Sequence, residues 1–358
     1  MEAYKANKLP FDYDLSKELI KLLCDAREIY GEYKGYLKSM EFDYKYLLEN
    51  LMVSDIYYSF KMDNVKIEKG DMFYMPYSIK NNDSIIFNNL KKAFYYGIAK
   101  TNKTKFDIDL LDKMHKIIYI GCKKNNLIKG SGHFRKKQTY LLKPGIAGSS
   151  ISFVPPVYNE VNPLMKNLCA YCNSAEDENF ITLALTHFQF ERIHPYSTGN
   201  GKLGRILIPI LFSNYKSEPP ILFLSQSIEN LKNTYFTLLS TVSEKEIELF
   251  VKFFLQCVID ECTMNIKKIK KLNKIYLNDS KSFKKEIGGS TIFKIYPLII
   301  KKIVFTTSDI VEESKLHINS VNKVLNKLVD TGYLIKEKKN GTNRVTFKYK
   351  NMYEVFVN

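Results

Sequence analysis

One short segment concentrates the residues that could do chemistry: His194, the turn Gly199-Asn200-Gly201, Lys202 and Arg205. It lies between two apolar stretches that predict helices, so the glycine turn stands at the N-terminus of the second helix. Glycines let backbone N–H groups turn toward a ligand, and a helix N-terminus attracts anions. Lys202 and Arg205 are three residues apart and share one face of the first turn. The pattern predicts a polyphosphate site, with His194 suited to proton abstraction near neutrality.

The alternative for this segment is a plain helix–loop–helix connection with a capping glycine and solvated cations. A lone Gly-Asn-Gly would favour that alternative. The segment instead combines a histidine, a glycine turn and two cations within twelve residues, in a fixed order. We therefore favour the phosphate site.

The composition bounds the class of protein. The 358 residues are 45 % apolar and 26 % charged, which predicts a folded chain of two or three domains. No apolar stretch reaches the roughly 20 residues that a bilayer needs, and residues 1–10 lack the apolar centre of a secretory signal. The sequence predicts a cytoplasmic protein with no membrane partner.

The net charge of +16 comes mainly from lysine. It fits a nucleic acid, an acidic partner or an anionic membrane, but an AT-rich coding sequence would also produce it. The charge alone leaves these alternatives open. Cys169 and Cys172 form a C-x-x-C pair within a helical run, where core packing is a better interpretation than zinc binding.

Apolar spacing of three and four residues predicts a mainly helical chain. The predicted helices cover residues 14–58, 84–99, 107–119, 161–173, 179–190, 202–212, 227–242 and 244–271. Residues 128–156 differ, because glycines and a Pro-Pro pair flank apolar residues, and we predict a β-hairpin with its turn near residues 143–149. Residues 268–285 are interpreted as a basic connector that ends at a domain boundary.

The segment from His194 to Arg205 resembles the signature of the Fic family, His-Pro-Phe-x-Asp/Glu-Gly-Asn-Gly-Arg-x-x-Arg. Residues 182–193 resemble the family's helix before the signature. Gly132–Gln138 and Phe153–Pro156 resemble the start and the end of its flap. The resemblance covers about residues 15–265, with the motifs in the family's order.

The resemblance implies a mainly α fold, with a Fic helical core, a β-hairpin flap and a C-terminal winged-helix domain. The implied domains are a helical region at residues 1–80, a catalytic core at 81–275 and the winged helix at 286–358. The implied function is a protein adenylyltransferase, which moves AMP from ATP to a Ser, Thr or Tyr hydroxyl of a protein, itself included.

The resemblance also assigns roles to individual residues. His194 becomes the general base that deprotonates the acceptor hydroxyl. The nucleotide-binding residues are Gly199, Asn200, Gly201, Lys202 and Arg205. The flap residues that dock the protein target are Tyr140, Leu141 and Leu142.

Three positions depart from the family pattern. Thr198 replaces the acid that ligates Mg²⁺, which puts metal use in question because a hydroxyl is a weak ligand for a hard cation. Lys202 replaces the first arginine, and Tyr196 replaces the phenylalanine. The alternatives left open are a metal-independent enzyme, a transferase that uses another phosphate-containing donor, and a DNA-binding regulator with a degenerate Fic core.

Ser59, Asp63 and Asn64 resemble the family's inhibitory motif, Ser/Thr-x-x-x-Glu-Gly/Asn. In the class with an N-terminal motif the acid pairs with the second arginine, here Arg205, and blocks the outermost phosphate. Asp63 is one methylene shorter than the usual glutamate. The alternative is an ordinary helix end with Asp63 and Asn64 solvated.

The C-terminal region changes character. Residues 319–330 predict a helix with one apolar face, and Asn340-Gly341 predicts a hairpin turn. Together with the short capped helix before them, these elements resemble a winged helix. Its partner could be DNA or protein, and a homodimer stays open as well.

Overall fold

The computed structural model of the chain describes residues 2–123, 130–145, 148–174, 180–216, 219–342 and 344–358. The chain forms two compact units that interleave along the sequence. The first contains residues 1–28, 58–65 and 85–261, and the second contains residues 29–57, 66–84 and 262–358. No helix in the described part of the chain combines the length and apolar character that membrane crossing requires.

Helices dominate both units. They are α1 (Lys17–Lys38), α2 (Lys45–Met62), α3 (Asn82–Thr101), α4 (Ile108–Tyr119), α5 (Val161–Asn173), α6 (Phe180–Ile193), α7 (Asn200–Lys216), α8 (Ser225–Asn230), α9 (Lys232–Thr241), α10 (Glu248–Glu286), α11 (Thr291–Lys302), α12 (Thr307–Ser314), α13 (Ile318–Asp330) and α14 (Lys350–Val357). Short 3₁₀ helices lie at Lys69–Tyr77, Tyr158–Glu160 and Glu244–Glu246. The mainly helical prediction is confirmed.

Helix α6 is the centre of the first unit, because every one of its residues is buried. A helix that is buried on all sides must be surrounded by other elements, and α5, α7 and α9 pack against it. On α5, Cys169 and Cys172 are buried, and Cys172 Sγ lies 3.5 Å from Thr186 Oγ1. Those two thiols therefore pack in the core of this unit.

The predicted hairpin is confirmed. Strands β1 (Leu141–Gly145) and β2 (Gly148–Phe153) pair antiparallel, with Leu141 opposite Phe153 and an irregularity between Leu141 and Leu142. Residues 146 and 147, at the centre of the predicted turn, lie outside the described residues. The hairpin and the glycine turn both lie within residues 85–261, which belong to the first unit.

The second unit contains a three-stranded antiparallel sheet in the order β3 (Val304–Phe305), β5 (Thr346–Tyr349), β4 (Leu334–Glu337). Helix α11 contacts β3 and α13 contacts β4, while α12 packs against α11 and α13. Thr306 begins α12 through a capping box with Asp309. Helix α13 buries the predicted apolar face.

Two element predictions are wrong. The interpretation of residues 268–285 as a connector fails because α10 runs unbroken to Glu286, burying Ile269, Leu272 and Phe283 along one side. The single helix predicted at 227–242 is two helices, α8 and α9, separated at Leu231.

Candidate active site

His194 ends α6 with a left-handed backbone. Its φ of +50° is uncommon for a residue with a side chain, so surrounding contacts must hold it. Its N–H donates to the carbonyl of Phe190 at 3.1 Å, and its own carbonyl accepts from Arg135 Nε at 3.0 Å. The backbone on both sides of the imidazole is therefore fixed.

Arg135 is a buried clamp on the end of α6. Its guanidinium donates hydrogen bonds to the carbonyls of His194, Pro156 and Ile193, the last at 3.3 Å. The backbone N–H of Arg135 donates to the carbonyl of Pro195 at 2.8 Å. The last carbonyls of a helix lack intrahelical partners, so a cation with several donors satisfies them well. The sequence placed Arg135 in the flap motif but did not predict this positioning role.

Asn200 closes the loop with its side chain. Oδ1 accepts from the N–H of Tyr196 and Nδ2 donates to the carbonyl of Tyr196, both at 2.8 Å. Asn200 is 1 % exposed. Its carboxamide thus shapes the loop, and its predicted contact with a nucleotide stays a prediction.

Tyr196 anchors the loop to α4. Its ring stacks on His115, with centroids 3.9 Å apart, and its hydroxyl donates to Asp112 at 2.8 Å. The buried hydroxyl therefore has the partner that replacing phenylalanine by tyrosine requires.

His115 joins the loop to the start of the flap. Its Nδ1 accepts from the N–H of Gly132 at 2.9 Å, so the ring proton sits on Nε2 and is donated to the carbonyl of Thr198 at 2.9 Å. Burial lowers the pKa of His115 to about 4, which keeps this neutral tautomer at pH 7. The sequence did not single out this histidine.

Gly199 is required by a close approach. Its φ is +75°, and a Cβ at this position would lie 2.1 Å from the hydroxyl oxygen of Tyr119. That hydroxyl is hydrogen-bonded to the side chain of Thr198, and burial raises the pKa of Tyr119 to about 12. The Thr198 side chain thus already has a partner in the protein.

Two cations project from the first turns of α7. Arg205 is 2 % exposed, and it donates from Nε to Ser59 Oγ at 2.8 Å and from Nη2 to the Ser59 carbonyl at 3.0 Å. The Lys202 ammonium lies 5.1 Å from the centre of the Phe60 ring. Both cations therefore face the C-terminal end of α2, within the first unit.

Asp63 bridges the two cations. Its Oδ1 accepts from Arg205 Nη2 at 2.9 Å, and its Oδ2 pairs with the Lys202 ammonium. Burial would raise the pKa of Asp63, but the positive charges of Arg205 and Lys202 outweigh it and lower the pKa below its ordinary value. The shorter acid therefore reaches both cations and stays ionised at neutral pH.

The end of α2 holds Asp63 in place. Asn64 has a left-handed φ of +58°, and the N–H groups of Asn64 and Val65 donate back to the carbonyls of Lys61 and Phe60. This is a Schellman C-cap. Lys232 adds a cation by donating to Asn64 Oδ1 at 2.7 Å and to the Lys61 carbonyl at 3.3 Å. Cations stabilise a helix C-terminus, so Lys232 fixes this turn.

Glu191 is a second carboxyl group near Arg205. It is buried, a Cβ on Gly204 would lie 2.1 Å from its Oε1, and within the described residues that oxygen has no hydrogen-bond donor. Burial raises the pKa of Glu191 to about 7, with the charge of Arg205 opposing and that of Asp63 assisting. The sequence did not predict this buried acid.

The imidazole of His194 is available as a base. Its Nδ1 lies 3.4 Å from the carbonyl of Glu191, and no hydrogen bond engages Nε2 among the residues that the structure describes. Burial lowers the pKa of His194 to about 4. The ring is therefore neutral at pH 7, and its Nε2 lone pair can accept a proton.

The structure brings together most of the site residues predicted from sequence. Lys202, Arg205 and Asp63 meet directly, at the end of the loop that His194 begins. In the hairpin, Tyr140 precedes β1 and is 51 % exposed, and Leu141 is partly buried. The side chain of Leu142 lies outside what the structure describes.

Comparisons with known proteins agree with this architecture. Residues 105–212 match the Fic/DOC family. "Protein adenylyltransferase Fic" of Aedes aegypti is 29 % identical over 129 residues, which are 35 % of this chain and 23 % of that protein. The chain thus matches under a quarter of the length of this relative.

Solved structures extend the likeness to the fold. A Fic family protein from Desulfovibrio desulfuricans G20 aligns with a TM-score of 0.56 and 16 % identity, over 94 % of this chain and 97 % of that one. A Fic domain containing signaling protein from Bacteroides thetaiotaomicron VPI-5482 aligns with a TM-score of 0.54 and 17 % identity, over 69 % of this chain and 97 % of that one. The chain therefore carries a Fic/DOC family domain at residues 105–212, within a fold that resembles Fic-family structures.

Proposed function

We propose that this protein is an adenylyltransferase that transfers AMP from ATP to a hydroxyl group of a protein. The observation that carries the proposal is the joint placement of Lys202 and Arg205 at the start of α7, where a carboxylate already bridges them, next to a loop that begins with a neutral His194. Curated relatives named as protein adenylyltransferases support the same reaction. Two cations that bind a carboxylate can also bind the phosphates of a nucleotide.

The proposed chemistry assigns one task to each group. His194 Nε2 takes the proton of the acceptor hydroxyl as its oxygen attacks the α-phosphorus. The bond from the α-phosphorus to the bridging oxygen breaks, and pyrophosphate leaves. Negative charge develops on the α-phosphate oxygens during the reaction. The backbone N–H groups of the Gly199–Gly201 turn, at the N-terminus of α7, stabilise this charge by donating hydrogen bonds. Lys202 and Arg205 hold the outer phosphates.

Magnesium fits position 198 poorly. Hard cations prefer carboxylate oxygens, whereas Thr198 offers a hydroxyl that is already hydrogen-bonded to the hydroxyl of Tyr119. In the proposed reaction, Lys202 and Arg205 therefore bind the phosphates without a metal ion at position 198. The neutral residue at 198 also specifically favours a second candidate function, transfer from another phosphate-containing donor that needs no metal at this position.

We further propose that Asp63 inhibits the enzyme by occupying the place of the outer phosphates. The carboxylate bridges the two cations much as a phosphate would, and Ser59 supplies two more acceptors to Arg205. A nucleotide with all its phosphates bound must displace Asp63 first. Because its pKa is depressed, Asp63 stays charged at neutral pH, so inhibition persists there.

The hairpin is the proposed docking site for the protein target. A two-stranded sheet has two edges, and an extended segment can add to such an edge as a further strand. Tyr140, Leu141 and Leu142 would contact it. The second unit's α11–α13 and its three-stranded sheet are the proposed winged helix, a module that serves DNA binding or protein docking.

Intact-mass spectrometry after incubation with separate donors tests the proposed function. Asp63→Ala protein, with and without an acceptor protein, is incubated with ATP, GTP, CTP, UTP or CDP-choline, each in magnesium and in chelator. We expect addition of one AMP mass per modified hydroxyl with ATP, and retention of activity in chelator. An adduct only with CDP-choline or UTP would support the second candidate, and no adduct with any donor would reject both transfers.

A further inference from the structure

The C-terminal half of α10 carries a row of exposed lysines. The row lies on the outer side of a helix whose apolar side is buried in the second unit. We name it the lysine row, and its members are Lys267, Lys270, Lys271, Lys274, Lys281, Lys284 and Lys285. With 100° per residue, all seven lie within about 140° of arc on the helix surface.

The lysine row lacks the acids that usually accompany such a face. Solvated helices commonly alternate Glu and Lys at spacings of three and four, which neutralises the surface. Between residues 262 and 285 the helix has a single carboxylate, Asp279. It is buried and accepts a hydrogen bond from the hydroxyl of Tyr349. No member of the row forms an ion pair with any residue that the structure describes. The positive charge therefore faces solvent uncompensated.

The length of the row suits a linear polyanion. From Lys267 to Lys285 the helix rises about 27 Å at 1.5 Å per residue. Over that distance duplex DNA presents roughly 16 phosphate charges, at one per about 1.7 Å of its axis. Lysines along the row recur at helical spacings of three, four and seven residues, so they could follow phosphates along one strand.

An anionic membrane is a poorer match for this face. Amphipathic helices that bind membranes insert an apolar side beneath the lipid headgroups. The apolar side of this helix is already buried in the second unit through Ile269, Leu272 and Phe283, each 1 % exposed. Leu277 is the only exposed large apolar side chain between residues 262 and 286, a stretch that the structure describes completely.

We propose that the lysine row is a binding surface for the phosphate backbone of duplex DNA. Binding is electrostatic and independent of base sequence, and it is separate from any base contact made by α13. It does not rest on the nucleotide chemistry of the first unit.

Fluorescence anisotropy with a labelled 20-base-pair duplex of arbitrary sequence tests the surface, using the full chain across a series of salt concentrations. The row variant replaces four members by glutamine, which keeps helix propensity: K267Q, K271Q, K274Q and K281Q. The control variant removes the same number of charges from exposed lysines of the first unit: K21Q, K92Q, K103Q and K105Q. Circular dichroism checks that both variants fold.

We expect salt-dependent binding by the unmodified chain. The row variant should lower the slope of log affinity against log salt by roughly three to four, at about 0.9 for each phosphate that is no longer neutralised. The control should leave the slope nearly unchanged. Should the fourfold variant unfold, K267Q/K271Q and K274Q/K281Q separately should each remove about half of that slope.

Three results would overturn the proposal. One is the absence of salt-dependent binding to the duplex. Another is an equal loss of affinity in the row and control variants, which would assign binding to the overall charge. The third is a row-dependent affinity for phosphatidylserine vesicles without affinity for the duplex, which would assign the surface to a membrane.

Discussion

Replacing Asp63 by alanine should increase the affinity for ATP and decrease the stability of the nucleotide-free protein. Asp63 and the outer phosphates compete for Lys202 and Arg205 under the proposed inhibition, so its carboxylate reduces the fraction of molecules able to bind ATP fully. Without it, the hydrogen-bond acceptors that Arg205 keeps among the described residues are the neutral oxygens of Ser59. The two effects therefore have opposite signs in one variant.

The geometry sets the expected size of both effects. The Asp63–Arg205 contact is a 2.9 Å hydrogen bond between charged groups, to an arginine that is 2 % exposed. Such bonds contribute about 1.5–3 kcal/mol, and we take the lower half of that range because the Asp63 side chain is 31 % exposed. Since about 1.4 kcal/mol corresponds to tenfold, ATP affinity should rise roughly 10- to 40-fold. The free energy of unfolding without nucleotide should fall by about 1.5–2 kcal/mol.

Calorimetric titration with ATP measures the affinity, and a His194→Ala background prevents turnover during the titration. Denaturant unfolding measures the stability in parallel. Glu68→Ala is the matched control, because Glu68 is an exposed acid close in sequence to Asp63 with no side-chain capping bond. An affinity for ATP that changes less than threefold in the Asp63 variant would refute the competition.

Individual contacts around the loop and the end of α2 lead to three more predictions. Gly199→Ala should abolish most transfer in a variant freed of inhibition, because its Cβ would strike the Tyr119 hydroxyl at 2.1 Å; rates within threefold of the parent would contradict this. Lys232→Met should raise ATP affinity in calorimetry by loosening the end of α2. Lys61→Met should not, because the Lys61 side chain, which pairs with Glu229, is 50 % exposed and such a pair contributes little; equal effects of the two variants would contradict the role of Lys232. Because the pKa of His194 is lowered to about 4, its neutral form persists as the pH falls. The value of kcat/KM should therefore decline only near pH 4. A half-maximal kcat/KM near pH 6.5, the ordinary pKa of histidine, would contradict the buried environment of His194.

Local sequence signals predicted the elements that frame the site. A glycine turn between two apolar stretches predicted a loop between two helices, and α6 and α7 flank it in the structure. The flap hairpin was predicted by glycines and a Pro-Pro pair that flank apolar residues. These elements are determined by local patterns of apolar, glycine and proline residues, which can be read directly from the sequence.

The contacts that hold the loop could not be predicted from the same signals. Arg135 and His115 reach the loop from 59 and 83 residues away along the chain. Arg135 was singled out only as part of the flap motif, His115 was not singled out at all, and no local pattern indicated that either residue contacts the loop. The Asp63–Arg205 pair was anticipated only through the resemblance of Ser59–Asn64 to a family motif, because no periodicity links positions so far apart.

The misassigned connector has a different cause. Lysines outnumber apolar residues between 268 and 285, so the helical pattern of Ile269, Leu272 and Phe283 was hidden by charge. A narrow apolar stripe is enough to bury one side of a helix against a unit. The same abundance of lysine that concealed α10 is what makes its outer face a candidate surface for DNA.

The most direct test of the central claim is an intact-mass comparison of Asp63→Ala with Asp63→Ala/His194→Ala after incubation with ATP and an acceptor protein. If an imidazole beside a two-cation phosphate site performs the transfer, the first protein produces adducts of one AMP mass and the second produces essentially none. Equal adduct formation by the two would contradict the assignment of His194 as the base.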